Sequence, residues 1–251
     1  MEKIDPDIRK ANTVKGSFYT SKDSFDNIIE KIFATTWQFI SDDRELQQDK
    51  NALPFQYLGN LIPERLVLIN NQNKISCFSN VCTHRGNILI NDTCNIKNNI
   101  TCGYHGKQFD SLGKFKFMPK TEGMKNFPTE DDNLTEIPVE RWNQFIFASL
   151  EPKFKFNELF REINERIEWM PIKEFKFSKK LSKDYYVDAN WALYCDNYLE
   201  GFHIPFIHKD LNDVLDFKNY DVEINKYSNL QIGIASDNDI CFDLPSSSKD
   251  F

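Results

Sequence analysis

The chain has 251 residues, 40% of them hydrophobic and 14% aromatic, which is apolar enough for one large domain or two modest ones with real cores and excludes overall disorder. A formal net charge of −7 and a sequence pI near 5.2 exclude the clustered basic footprint of a nucleic-acid binder. The charged opening residues Met1 to Asp7 make no signal peptide and no later run has the length of a membrane span, so no membrane partner is expected and the expected location is cytoplasmic.

Residues 1–36 read as an N-terminal helical segment: Phe25, Ile28, Ile29, Ile32 and Phe33 recur at three- and four-residue steps, with Ser24 as cap. Over 37–150 the pattern changes to short strand-like runs, Trp37 to Ile40, Leu66 to Ile69, Ile75 to Phe78 and Phe145 to Phe147, separated by Asn, Gly and Pro. This predicts a small antiparallel β-domain. Glu151 to Phe154 reads as a linker opening a second domain over 151–251. In it, Asn157 to Met170 has helical spacing and ends against Pro171, Phe175 to Val187 is strand-like, and Asn190 caps a helical run from Trp191 to Glu200. Strand patterns resume at Tyr220 to Ile224 and Leu230 to Ile234. Six cysteines in a chain of this size make no disulfide framework. Cys77, Cys94, Cys195 and Cys241 read as reduced, partly buried small hydrophobes.

Two segments inside the β-domain carry the chemistry, Cys82-Thr-His84-Arg-Gly86 and Cys102-Gly-Tyr-His105-Gly106. Each supplies one thiolate and one imidazole, the ligand set of a [2Fe–2S] cluster in which two His replace two Cys on one iron. Two Cys and two His also satisfy tetrahedral zinc, but common zinc modules pair like with like, whereas each arm here mixes the two. The closing glycines read as places where a missing side chain lets backbone N–H groups approach the cluster. The chain has four His, and the other two, His203 and His208, lie five residues apart behind Glu200. Two neutral imidazoles there suit adjacent positions on a non-haem iron. Glu200 and His203 share a face if the helix continues through them, with Pro205 as its breaker and His208 brought round on a loop.

At these residues the sequence resembles the Rieske non-haem iron oxygenase large (alpha) subunits. The resemblance implies an α+β fold: a Rieske antiparallel β-domain over 37–150, then the first part of a helix-grip catalytic domain, antiparallel sheet plus helices. It implies that Cys82, His84, Cys102 and His105 hold the [2Fe–2S] cluster, that His203 and His208 hold a mononuclear Fe(II), and that Glu200 is a bridging carboxylate between the two centres. Glu in the context Asn-Tyr-Leu-Glu-Gly-Phe-His looks more like the choline and carnitine monooxygenase branch than the aromatic dioxygenases. The implied partners are O₂, a small organic substrate such as a quaternary ammonium or aromatic compound, a flavin or ferredoxin reductase, and further copies in a homotrimer or larger oligomer.

The chain departs from the family pattern in three places. Respiratory Rieske proteins link the cluster loops by an extra disulfide, and the matching positions here are Asn87 and Tyr104. Many oxygenases have Trp after His-Gly, where this chain has Lys107. The family's third iron ligand is an Asp roughly a hundred residues beyond the second His, whereas 43 residues follow His208. Asp210, Asp213 and Asp216 lie near His208, and Asp237, Asp239 and Asp243 in a polar stretch, none at the family's position. The expectation is therefore a fragment or a chain without turnover. The rival readings are a Rieske ferredoxin-like electron carrier with a vestigial iron site and a zinc-stabilised interaction domain.

Overall fold

The computed structural model describes residues 4–215 and 220–235, and Asp216, Asp237, Asp239, Asp243 and Cys241 lie outside them. The chain divides into two compact units, Asp26–Phe156 and a second one made of Met1–Phe25 with Asn157–Phe251. Helices α1 (Gly16–Thr20) and α2 (Lys22–Ile28) open the chain, and α2 runs on into a π-helical turn over Ile29–Phe33. The helix starts two residues before Ser24. Its cap is Ser21, whose hydroxyl oxygen accepts from the Ser24 N–H at 3.3 Å.

Eleven strands follow in the first unit: β1 (Gln38–Asp42), β2 (Asn51–Gln56), β3 (Arg65–Asn71), β4 (Lys74–Ser79), β5 (Cys94–Asn95), β6 (Ile100–Thr101), β7 (Gln108–Phe109), β8 (Phe115–Phe117), β9 (Glu136–Ile137), β10 (Val139–Trp142) and β11 (Phe145–Ala148). They form three sheets of order β5-β2-β3-β4-β9, β1-β11-β10 and β6-β7-β8, and every pairing is antiparallel. β3 explains the layering. Its uninterrupted apolar run has side chains on both faces of the pleat, and both faces are buried. Leu66 and Leu68 join Cys77, Ile146 and Ala148 in one core, while Val67 and Ile69 join Phe78, Ile100, Phe109, Cys82 and Cys102 in the other. The two motif cysteines are thus rooted in the second core. Each fully buried aliphatic side chain contributes about 1.5–3 kcal/mol, so this strand anchors the loops above it.

The stretch read as a linker is tied down within this unit. Glu151 N–H donates to Ala34 O (3.0 Å), Lys153 N–H to Thr35 O (3.1 Å), and the Trp37 indole N–H to Phe154 O (3.0 Å). Cys77 is buried and Cys195 half-buried, but Cys94 is exposed, because it sits on the two-residue edge strand β5.

Helix α3 (Phe156–Ile167), which lies in the second unit from Asn157 on, ends short of Pro171, where the Trp169 indole N–H donates to the Arg166 carbonyl at 2.9 Å. The Phe175 to Val187 run forms no strand. Its side chains are exposed and it joins no sheet among the described residues; a strand forms only where a second segment completes the backbone ladder. Helix α4 (Trp191–Glu200) starts where expected, with Asn190 Oδ1 accepting from Ala192 N–H at 3.0 Å. The same side chain donates to Tyr19 O at 2.9 Å, and the Tyr19 hydroxyl donates to Asp196, so the N-terminal segment is fastened along α4. Short helices α5 (Ile204–Ile207) and α6 (Lys209–Val214) follow, then the antiparallel pair β12 (Asp221–Ile224) and β13 (Asn229–Ile232). Among the described residues no helix is long and apolar enough to cross a membrane.

Candidate metal centres

The two cluster loops have the same backbone design. In the first, Cys82 N–H donates to Asn87 O (2.8 Å) and Gly86 N–H returns to Cys82 O (3.0 Å). In the second, Cys102 N–H donates to Lys107 O (2.8 Å) and Gly106 N–H returns to Cys102 O (3.0 Å). The glycines sit at φ +72° and +73°, the left-handed region that closes each loop. The Gly86 and Gly106 N–H groups are both spent on these loop-closing bonds. The glycines are required for this left-handed backbone, which L side chains rarely adopt.

This design sorts the donors. Cys82 and Cys102 point down and are buried, 2% and 3% exposed, whereas His84 and His105 stand exposed at the tip. The two thiols hydrogen-bond each other and no disulfide joins them. The two imidazoles meet edge to face with centroids 4.8 Å apart, and the Tyr104 ring lies over His105 at 3.8 Å. A sulfur pair inside and a nitrogen pair outside match a binuclear cluster with one thiolate-bound and one imidazole-bound iron.

Charge at the loops suits ligation. Burial raises the Cys82 thiol, with Lys107 acting against that shift. Burial also opposes ionisation of Cys102, but the N–H groups of Tyr104 and His105 outweigh it and lower that thiol, the easier of the two to deprotonate. Burial, reinforced by His105, Arg85 and Lys107, lowers His84, which keeps the ring neutral and able to bind metal.

One residue joins both loops, and the sequence reading missed it. Asp132 Oδ1 accepts from Lys107 Nζ at 2.8 Å, its Oδ2 accepts from Thr129 N–H at 2.9 Å, and its carbonyl accepts from Thr83 Oγ1 at 3.0 Å. Burial opposes its ionisation, but Lys107 and the Thr129 N–H hold its carboxyl below the usual range. Lys107 itself is 1% exposed and stands 5.6 and 5.4 Å from the Phe109 and Phe115 ring centroids. The Thr129-x-x-Asp132 spacing of a capping box was the readable signal.

The second pair forms by a different route. Helix α4 stops at Glu200 because Gly201 turns left-handed at φ +69°, ahead of Pro205, which instead occupies the first turn of α5. Glu200 and His203 therefore meet across a helix end rather than along a helix face. Glu200 Oε1 accepts from His203 Nδ1 and its Oε2 accepts from the Phe202 N–H; the His203 bond, foremost, lowers the Glu200 carboxyl. With Nδ1 engaged, Nε2 of His203 is the free lone pair. The His208 ring stands edge-on to it, centroids 5.0 Å apart, beside a cleft of about 430 Å³ also lined by Tyr198, Tyr220, Leu211 and Leu215. Neither Asp210 nor Asp213 converges with the two histidines on a common point. A Cβ at Gly201 would stand 3.0 Å from the Tyr220 ring. Gly201→Ala is expected to cost about 1–2 kcal/mol in backbone strain and to weaken Fe(II) binding at His203, read by equilibrium dialysis, while leaving the visible spectrum of the cluster unchanged.

Residues 36–128 match the Rieske [2Fe-2S] domain and residues 168–235 the ring hydroxylating alpha subunit (catalytic domain). The chain belongs to the Rieske oxygenase alpha-subunit family. Similar relatives include the carnitine monooxygenase oxygenase subunit of Acinetobacter pittii, 28% identical over 98% of this chain and 65% of its own length. Another is the chloroplastic choline monooxygenase of Beta vulgaris, 29% identical over 97% of this chain and 55% of its own. The chain thus spans about three-fifths of the curated relatives it matches. Among solved structures, the quaternary ammonium Rieske monooxygenase CntA with its substrate γ-butyrobetaine aligns with TM-score 0.71 at 26% identity, over 89% of this chain and 62% of that one. Naphthalene 1,2-dioxygenase from Rhodococcus sp. shares the fold, with TM-score 0.60 at 19% identity over 80% and 47% of the two chains. The family's alpha subunits combine a [2Fe–2S] cluster with a mononuclear iron.

Proposed function

We propose that this chain is the oxygenase subunit of a Rieske monooxygenase acting on a small quaternary ammonium compound. The observation that carries the reading is the pair of donor sets in one chain: two thiols under two imidazoles at the loop tip, and two further imidazoles facing at 5.0 Å beside a cleft. When bound, the cluster supplies one-electron transfer and the mononuclear iron supplies O₂ activation. The overall conversion is R–H + O₂ + 2 e⁻ + 2 H⁺ → R–OH + H₂O.

The chain's own residues divide this work. Cys82 and Cys102 would hold one cluster iron, and His84 and His105, exposed at the tip, would hold the other. His203, through Nε2, and His208 would hold Fe(II). Glu200 fixes the tautomer and the angle of His203, and its side chain keeps 37% exposure, leaving it room to bridge to a cluster histidine of a neighbouring copy. The Tyr198 and Tyr220 rings offer the cleft a cation-binding face. A flavin or ferredoxin reductase supplies the electrons, the assembly is a homotrimer or larger oligomer, and the location is cytoplasmic.

Calorimetric titration of the Fe(II)-loaded chain with carnitine, choline and naphthalene tests the substrate class. Saturable binding of a quaternary ammonium compound, weakened by Tyr220→Ala, is the expected result. Binding of naphthalene alone overturns it.

A further inference from the structure

We propose that Lys107 and Asp132 form a charged brace that ties the two cluster loops together and sets the reduction potential of the cluster; this rests on the reading that the loops hold a [2Fe–2S] centre. The geometry is specific. No disulfide joins the loops. Instead, Asp132 grips the first loop through its carbonyl and Thr83 Oγ1, at 3.0 Å, and the second through its carboxylate and Lys107 Nζ, at 2.8 Å. Its remaining oxygen is fixed by the Thr129 N–H at 2.9 Å, so the carboxylate cannot swing away without losing a bond.

The charge matters as much as the tie. The Lys107 side chain is 2% exposed and that of Asp132 18%, so water screens this pair far less than a surface pair. The Lys107 backbone closes the second loop, its carbonyl accepting from the Cys102 N–H at 2.8 Å, so the ammonium is carried by the same loop as two of the cluster ligands. One-electron reduction, with dithionite as donor, adds a negative charge to the cluster. A buried cation beside it stabilises the reduced form, and the Asp132 carboxylate partly offsets that effect. Removing each partner therefore shifts the potential in opposite directions, which a purely structural pair would not do.

The test is a spectroelectrochemical titration of the full chain and three variants, with the visible spectrum of the unaltered chain first establishing that a cluster is present. Lys107→Met is expected to lower the potential and Asp132→Asn to raise it, each changing the one-electron equilibrium by about tenfold, equivalent to about 59 mV. The double variant should lie between the two. Lys114→Met, which removes an exposed cation paired with Glu130, should leave the potential where it was. Both single variants should also lose cluster absorbance faster under EDTA. Should Lys107→Met fail to fold, the near-isosteric Asp132→Asn decides alone: an upward shift supports the brace, and no shift or a downward one overturns it. Two single variants that move in the same direction, or not at all, overturn it as well. A colourless parent chain would instead remove the cluster reading on which it rests.

Discussion

Cys82→Ser or Cys102→Ser is expected to abolish the visible absorption of the purified chain and to remove both cluster irons together. Each sulfur is buried in the apolar core that carries Val67, Ile69 and Phe109, so a serine hydroxyl there is a hard, poorly matched donor with no water to help it. His105→Cys should behave differently. Its ring is exposed at the tip, and a thiolate in its place can still bind iron. It adds negative charge, however, which stabilises the oxidised cluster. The potentials of mixed His/Cys and all-Cys clusters differ by a few hundred millivolts for two substitutions, so one should lower it by on the order of 100 mV. Iron analysis with redox titration reads both results. An unchanged potential in His105→Cys would remove His105 from the ligand set.

His203→Ala and His208→Ala should each eliminate binding of a third iron while leaving the cluster spectrum intact, since the residues lie in a different compact unit from the cluster loops. The parent chain itself should hold that iron weakly. Two neutral imidazoles leave the charge of Fe(II) uncompensated, and no carboxylate joins them on a common point among the described residues. Two irons per chain are therefore expected after desalting, with a third only in excess Fe(II). Glu200→Gln should reduce affinity for the third by about 10- to 100-fold, the usual effect of losing the group that orients a ligating His. It should also slow electron transfer between the centres, and hydroxylation by the 251-residue chain should fall well below ordinary turnover of about 1–10³ s⁻¹. Three irons retained through desalting, with turnover in that range, would mean that Asp210 or Asp213 moves in as third ligand.

The ligand residues were legible because metal chemistry restricts residue type: thiolates and imidazoles at short spacing have few other uses. The strands were legible where apolar runs were dense, as at Leu66 to Ile69. Local periodicity misled at Phe175 to Val187, because strand pairing is a property of two segments and this one joins no sheet among the described residues. The run from Trp191 to Glu200 was read with its true end, and the alternative in which the helix continues to Pro205 fails because the left-handed Gly201 acts first. Lys107 looked like a mere departure from the family pattern. Its meaning depends on Asp132, twenty-five residues away, and no window of sequence shows a buried ion pair that closes over such a distance. The left-handed backbone at Gly86 and Gly106 was likewise visible only in their φ angles.

The central claim is that Cys82, His84, Cys102 and His105 bind one [2Fe–2S] cluster with both imidazoles on the same iron. Pulsed EPR of the dithionite-reduced chain, recorded beside iron and sulfide analysis, tests it most directly. The account predicts two cluster irons and two sulfides per chain, and two strongly coupled imidazole nitrogens, one of which disappears in His105→Cys. A colourless protein with stoichiometric zinc, or an iron–sulfur signal without nitrogen coupling, would contradict it.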